Sequence, residues 1–265
     1  MNMYRHELRM YRSNTILWMV ALVGIAGVFM SFYPIFAAEA EPFKELLRSM
    51  PQEVMAAFGL QIDSITSLLG FYSYVCLYIS LLGAIQAIHL GASMMSAETR
   101  AKTADFLLTK PVTRGAVLRS KALAALTLLC VTQAVYFAAS TALAFLVQRE
   151  AFSYTAFALI NASLLLTQLV FLSLGFAAAL LLPRLKTVLP LSLGVVFSLF
   201  MLSAVGASSG DGGLRYLTPF QYFDRMHIVW HERYEPEFLV AGAAVIALCV
   251  WFSVLRCLKR DVHAS

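Results

Sequence analysis

An all-α, polytopic membrane protein with six transmembrane helices is the fold class this sequence predicts, on three observations. Hydrophobic residues make up 60% of the chain and charged residues 13%, against about 45–50% and about 25% in soluble domains, and mean hydropathy is +0.75. Six predominantly apolar runs come close to or exceed the roughly 20 residues that a helix needs to cross a bilayer. Basic residues then gather on alternate connections between these runs, as they do in membrane proteins.

The first run covers 16–38. Residues 1–14 precede it and set Tyr4, Leu8 and Tyr11 at helical spacing beside Arg5, Arg9 and Arg12, which predicts an amphipathic N-terminal helix lying on the inner membrane surface. Ala38-Glu39-Ala40 has the small-x-small form of a leader cleavage site, but the run is longer than the about 7–15 apolar residues of a leader, so a retained span is expected. Ser49-Met50-Pro51-Gln52-Glu53 supplies a capping serine, an early proline and an early glutamate. With Val54, Met55, Phe58 and Gly59 it predicts a short helix on the outer face.

The second span covers 68–95 and the third 122–147, entered through a basic first turn. The fourth covers 152–182 and the fifth 185–206, divided by a tight turn at Pro183-Arg184-Leu185-Lys186, and the sixth covers 238–255. The expected organisation is one membrane domain over 1–265. Cys76, Cys130, Cys249 and Cys257 lie in or at the end of apolar runs without paired spacing, and are read as small buried hydrophobes, not a disulfide framework or a metal site.

Orientation follows from charge. With both termini in the cytoplasm, the inner segments carry 14 of the 20 basic residues, and only Lys44, Arg48, Arg149, Arg215, Arg225 and Arg233 fall outside. Acidic residues divide the other way, with Glu7, Glu98, Asp105 and Asp261 inside. This supports a multi-pass protein of the cell membrane with cytoplasmic ends. Topology and anionic inner-leaflet lipid account for the basic pI of about 9.1 without any nucleic acid.

Within the runs the polar residues are neutral, such as Gln86, Gln133, Asn161 and Gln168; His89 lies near the inner end of the second span. Carriers driven by ion gradients place ionisable groups at membrane depth, so this chain is expected to draw its energy from elsewhere. The four neutral residues are read as hydrogen-bonding glue between helices.

The segment 96–121 is more patterned than a connector needs to be. Glu98 and Lys102 form an i,i+4 pair, Phe106, Leu107 and Leu108 give an apolar end, and Pro111 stops the helix. Thr113 can cap the next helix, which enters the membrane through Arg119 and Lys121. A short charged helix with an apolar tip, held between two spans, suits docking on another protein.

Here the chain resembles the permease subunits of type-2 ATP-binding-cassette (ABC) transporters. Glu98, Thr103, Asp105, Leu107, Leu108, Pro111, Val112, Thr113, Arg114 and Lys121 follow that family's first cytoplasmic loop in order, with Ala101-Lys102 where a glycine usually precedes the threonine. Glu7-Leu8-Arg9, the Pro51–Gly59 helix and Leu217-Thr218-Pro219-Phe220-Gln221-Tyr222-Phe223 also look like family features. The resemblance implies a permease paired with a second copy or a sibling and carried on a cytoplasmic ABC ATPase, which would bind ATP and Mg. It further implies that Glu98, Thr99, Lys102, Thr103, Asp105, Phe106, Leu107, Leu108, Pro111 and Arg114 couple to that ATPase, and that transport is export. The family spans many substrates; the apolar, uncharged span interiors point to a hydrophobic or amphipathic one.

No G-x-x-x-x-G-K-[ST] phosphate loop occurs, so this chain is not the ATPase. Gly210-Asp211-Gly212-Gly213 reads as an outer turn. His227 and His231 at i,i+4 form a fragment of a metal site, but neither a third ligand nor an H-E-x-x-H order accompanies them, and the neighbouring Tyr222, Phe223 and Trp230 fit an interfacial aromatic belt. A membrane enzyme or a scaffold is the alternative reading. An enzyme would need a convergent catalytic set and a scaffold a signalling domain.

Overall fold

The computed structural model describes residues 2–59, 64–100, 114–148, 150–182, 187–210 and 212–259, and every regular element among them is helical. In chain order these are α1 (Asn2–Ala38), α2 (Ala40–Arg48), α3 (Gln52–Phe58), α4 (Leu68–Arg100), α5 (Arg114–Val147), α6 (Tyr154–Leu181), α7 (Leu189–Ser209), α8 (Gly212–Arg215), α9 (Arg225–His231) and α10 (Pro236–Lys259). A 3-10 turn, Pro219–Gln221, lies between α8 and α9. Six of the helices, α1, α4, α5, α6, α7 and α10, are long and apolar enough to cross a membrane.

α4 and α6 form the centre. Their most apolar 18-residue windows are 72% and 67% buried, against 22% for α1, 33% for α5, 22% for α7 and 17% for α10. The two approach backbone to backbone because small residues face each other. A Cβ on Gly175 of α6 would stand 2.5 Å from the Ile88 carbonyl oxygen of α4, and one on Gly91 of α4 would stand 2.7 Å from that of Leu172. Without a hydrophobic driving force in lipid, such close approach is what makes helices associate. α1 packs along α5, and α10 and α7 lie against the centre, leaving Val20, Leu123, Phe197 and Trp251 among the large apolar side chains exposed on the outer faces.

The N-terminal segment and the first span are continuous in α1, a single helix of 37 residues. At 1.5 Å per residue α1, α4 and α5 are each about 50 Å or longer, well beyond the roughly 30 Å hydrocarbon core. Tyr4, Leu8 and Tyr11 do share one face, but that face packs on the bundle beside Ala124, Ala125 and Leu128, so it meets protein where the sequence suggested lipid.

Smaller corrections follow the same logic. Ser49 closes α2, donating its hydroxyl to the Leu46 carbonyl at 2.6 Å, and does not cap α3, whose N-cap position is Pro51. Gly59 ends α3 at φ +70°, a conformation that favours glycine. α6 begins at Tyr154 because Ser153 accepts the Ala156 amide at 3.2 Å. Only Cys76 is fully buried; Cys130 is exposed on α5, and Cys249 and Cys257 are half-buried. The turn 183–186 lies outside the described residues.

Candidate coupling interface

The end of the bundle that carries the patterned loop is built from three helices. α4 runs out to Arg100 and brings Glu98 and Thr99 onto its last turn, and α5 starts at Arg114, one residue after the threonine expected to cap it. Lys102, Thr103, Asp105, Phe106, Leu107, Leu108 and Pro111 lie outside the described residues.

What fixes these helix ends is a buried charge cluster. Lys121 of α5 is 1% exposed and Glu7 of α1 is 3% exposed. The ammonium lies 3.8 Å from the Glu7 carboxylate and donates to the Met94 carbonyl of α4. One cation thus ties α1, α4 and α5 together at the base of the loop, and Tyr4 and Thr127 share a further hydrogen bond between α1 and α5 at 2.9 Å. A buried ion pair does not add much stability over an apolar contact, but it tolerates no loss of one partner and so enforces one register. Both residues sit just outside apolar runs, which is why run-by-run reading found no charges inside the bundle; neither alone points to the other.

Below this end, neutral polar residues cross-link α4, α5 and α6 in two ladders. Gln168 donates to Gln86 Oε1 at 3.2 Å, and Gln86 donates to Thr132 at 3.2 Å. Asn161 Oδ1 accepts from Tyr72 at 2.8 Å and from Ser140 at 3.0 Å, while Gln133 donates to the Asn161 carbonyl at 2.7 Å. Hydrogen bonding between helices is therefore what Gln86, Gln133, Asn161 and Gln168 do. The two ladders and the Glu7–Lys121–Met94 cluster together link α1, α4, α5 and α6.

The model of the ABC-2 family transporter proteins matches residues 1–255. The chain belongs to this family. Comparison with curated proteins gives no match. As an ABC-2 membrane protein with six apolar spanning helices it is a multi-pass permease subunit of an ABC transporter, and its family works with an ABC ATPase subunit.

Elsewhere in this ABC-2 permease, the His227 and His231 rings stack at 4.2 Å with planes 21° apart. His231 Nδ1 lies 3.1 Å from the His227 carbonyl, and His227 Nδ1 lies 3.9 Å from Glu235. Stacked rings do not converge their nitrogens on one point. Among the described residues no group of three or more potential metal-ligating side chains comes together.

Glu235 also pairs with Arg215, whose guanidinium lies 3.9 Å over the Phe238 ring. Burial pushes the Tyr234 phenol up to about 12, and its hydroxyl donates to the Leu159 carbonyl at 2.7 Å. The Leu217–Phe223 segment folds into the bundle, burying Thr218, Phe220, Tyr222 and Phe223.

Proposed function

We propose that this chain is the membrane half of an exporter of hydrophobic or amphipathic molecules, driven by a separate cytoplasmic ATPase subunit that docks on residues 96–121. The observation that carries the reading is the family match over nearly the whole chain. The Glu7–Lys121–Met94 tie supports it, because a loop rooted in three packed helices moves them together when its tip is pushed. In this reading Glu98, Thr99, Lys102, Thr103, Asp105 and Arg114 make the polar contacts with the ATPase. Phe106, Leu107 and Leu108 fill a groove on it, and Pro111 sets the end of the docking helix. ATP and Mg are bound by the partner alone.

Both termini and the loop face the cytoplasm, across the cell membrane from α3. The exposed apolar faces of α1, α5, α7 and α10 provide surface for lipid and for a second permease copy. Apolar span interiors favour apolar or amphipathic cargo over highly charged cargo.

Co-purification in detergent with ATPase subunits encoded beside this protein tests the reading. Wild type is expected to retain an ATPase, and the double variant Glu98→Ala/Leu107→Ala is expected to lose it while eluting as a folded permease. Failure of the wild type to retain any such subunit in several detergents and lipids would refute it.

A further inference from the structure

Arg225 opens α9 by sequence, outside every apolar run, yet it is 7% exposed, packed against the middle of α4. Its Nη2 donates to Ser80 Oγ at 2.7 Å, and that hydroxyl in turn donates to the Cys76 carbonyl. The buried Nε has no hydrogen-bond partner. No carboxylate among the described residues comes within ion-pair distance of it. Asp224 beside it is exposed and spends Oδ1 on the Met226 amide as the cap of α9. Burial lowers the Arg225 pKa, opposed by Cys76, Asp224 and Tyr136, yet an arginine stays protonated in proteins. The result is a buried cation that no carboxylate among the described residues ion-pairs directly, an arrangement that is costly unless something neutralises it.

Arg225 lines a cavity of about 760 Å³ between α3, α4, α7 and the turn leading to α9, within the roughly 300–1,000 Å³ range of small-molecule sites. A second unsatisfied group lines the same space: Ser73 of α4 is 4% exposed and its buried hydroxyl has no hydrogen-bond partner. Met55, Leu77, Phe200 and Phe220 supply apolar wall. Arg215 also borders the cavity, but Glu235 already neutralises it. Asp224 also borders the cavity, with Oδ1 occupied by the Met226 amide. A cation with no ion-paired carboxylate, a spare hydroxyl and apolar walls around one partly open space match a ligand with an anionic head and an apolar body.

We infer that this cavity binds an amphipathic molecule by its oxyanion head, a phosphate or carboxylate, with Arg225 as the anchoring cation and Ser73 as a second donor. The inference stands on this geometry and holds whether the occupant is carried across or resides there.

The test uses the full chain purified in dodecyl maltoside, with dodecyl phosphate as probe, inorganic phosphate as the head without a tail, and a neutral dodecyl glucoside as the tail without a charge. Saturable binding of dodecyl phosphate, read by native mass spectrometry and by a rise in melting temperature, is expected, with at least tenfold weaker binding of the other two. Arg225→Gln is expected to weaken dodecyl phosphate binding at least tenfold. Ser73→Ala is expected to weaken it at least about tenfold, the scale of one hydrogen bond to a charged group, while leaving the ligand-free melting temperature unchanged or higher. Because Arg225 also holds Ser80, Arg225→Lys serves as the folded comparison, keeping the charge and part of the affinity. The inference is overturned if dodecyl phosphate does not bind, or if Ser73→Ala and the folded Arg225 variants bind it as wild type does. Inorganic phosphate binding as tightly as dodecyl phosphate would overturn the assignment to an amphiphile.

Discussion

Substituting Gly175 by alanine tests whether α4 and α6 are held by backbone contact. The new Cβ would stand 2.5 Å from the Ile88 carbonyl oxygen, 3.0 Å from Ile88 Cα and 3.1 Å from the Ala92 nitrogen, while ordinary contact begins near 3.4 Å. All three are backbone atoms of one helix, so no side chain can swing aside and the helices must part by about 0.9 Å. A gap of that order forfeits about a quarter to a half of the dispersion energy of each contact it opens, and overpacking of a tight core costs about 1–3 kcal/mol.

Alanine also favours helix over glycine by about 1 kcal/mol, so the informative quantity is a difference between two glycine-to-alanine changes. Gly24 and Gly194 lie in spanning helices with nothing within 4 Å of an added Cβ. Gly175→Ala is expected to be less stable than Gly194→Ala by about 2–3 kcal/mol, or about 4–12 °C in melting temperature for a chain of this size. The assay follows from the structure. In a variant retaining only Cys76, which is 2% exposed on α4, a thiol-reactive dye reports the parting of α4 from its neighbours on heating. Equal melting temperatures for Gly175→Ala and Gly194→Ala would refute the claim that these helices touch backbone to backbone.

Three further outcomes follow. Lys121→Met removes the cation 3.8 Å from the buried Glu7 carboxylate and is expected to cost about 3–5 kcal/mol in thermal unfolding, whereas the double change Glu7→Leu/Lys121→Met recovers most of that loss. A double-mutant cycle of Tyr72→Phe and Asn161→Leu is expected to give a coupling near 0.6 kcal/mol and no more than about 1.7 kcal/mol, the range of hydrogen bonds between membrane helices; a coupling of zero would remove this ladder from the account. In the folded detergent-solubilised protein, Cys76 is expected to resist maleimide until unfolding, and early labelling of Cys76 would contradict its burial.

The spans were legible because apolar runs must be long to cross a bilayer, and a hydrogen-bonded helix is the element that lets them do so. The same property explains what a linear reading misplaced. Where a helix leaves the hydrocarbon it continues unmarked, so Asn2–Ala38 reads as two elements and is one. The Tyr4–Leu8–Tyr11 face was legible as apolar, but its spacing is the same for a face that meets lipid and one that meets another helix.

Gln86 and Asn161 declared their need for partners by being polar in an apolar run, and only the fold says which partners. Glu7 and Lys121 each belong to features that resemble the permease family, yet 113 residues separate them and the pairing comes from the packing of α1 on α5. Arg225 lies outside the runs and reads as an outer-side charge; its burial against α4 comes from the turn that precedes it and is not visible in the runs. Its one sequence signal was a basic residue set among Phe220, Tyr222, Phe223, Ile228 and Trp230.

The central claim is that residues 96–121 meet an ATPase subunit, and a site-specific cross-link tests it most directly. In a chain without its four native cysteines, a single cysteine replaces Leu107, or, as the control, Ala56 on α3 at the opposite end of α4. Each protein is co-expressed with the ATPase subunit encoded beside it and treated with a bifunctional thiol–amine reagent in native membranes. The account predicts a cross-linked permease–ATPase product from position 107, diminished by Lys121→Met, and none from position 56. A product of equal yield from position 56, or none from position 107 in a complex that hydrolyses ATP, would contradict it.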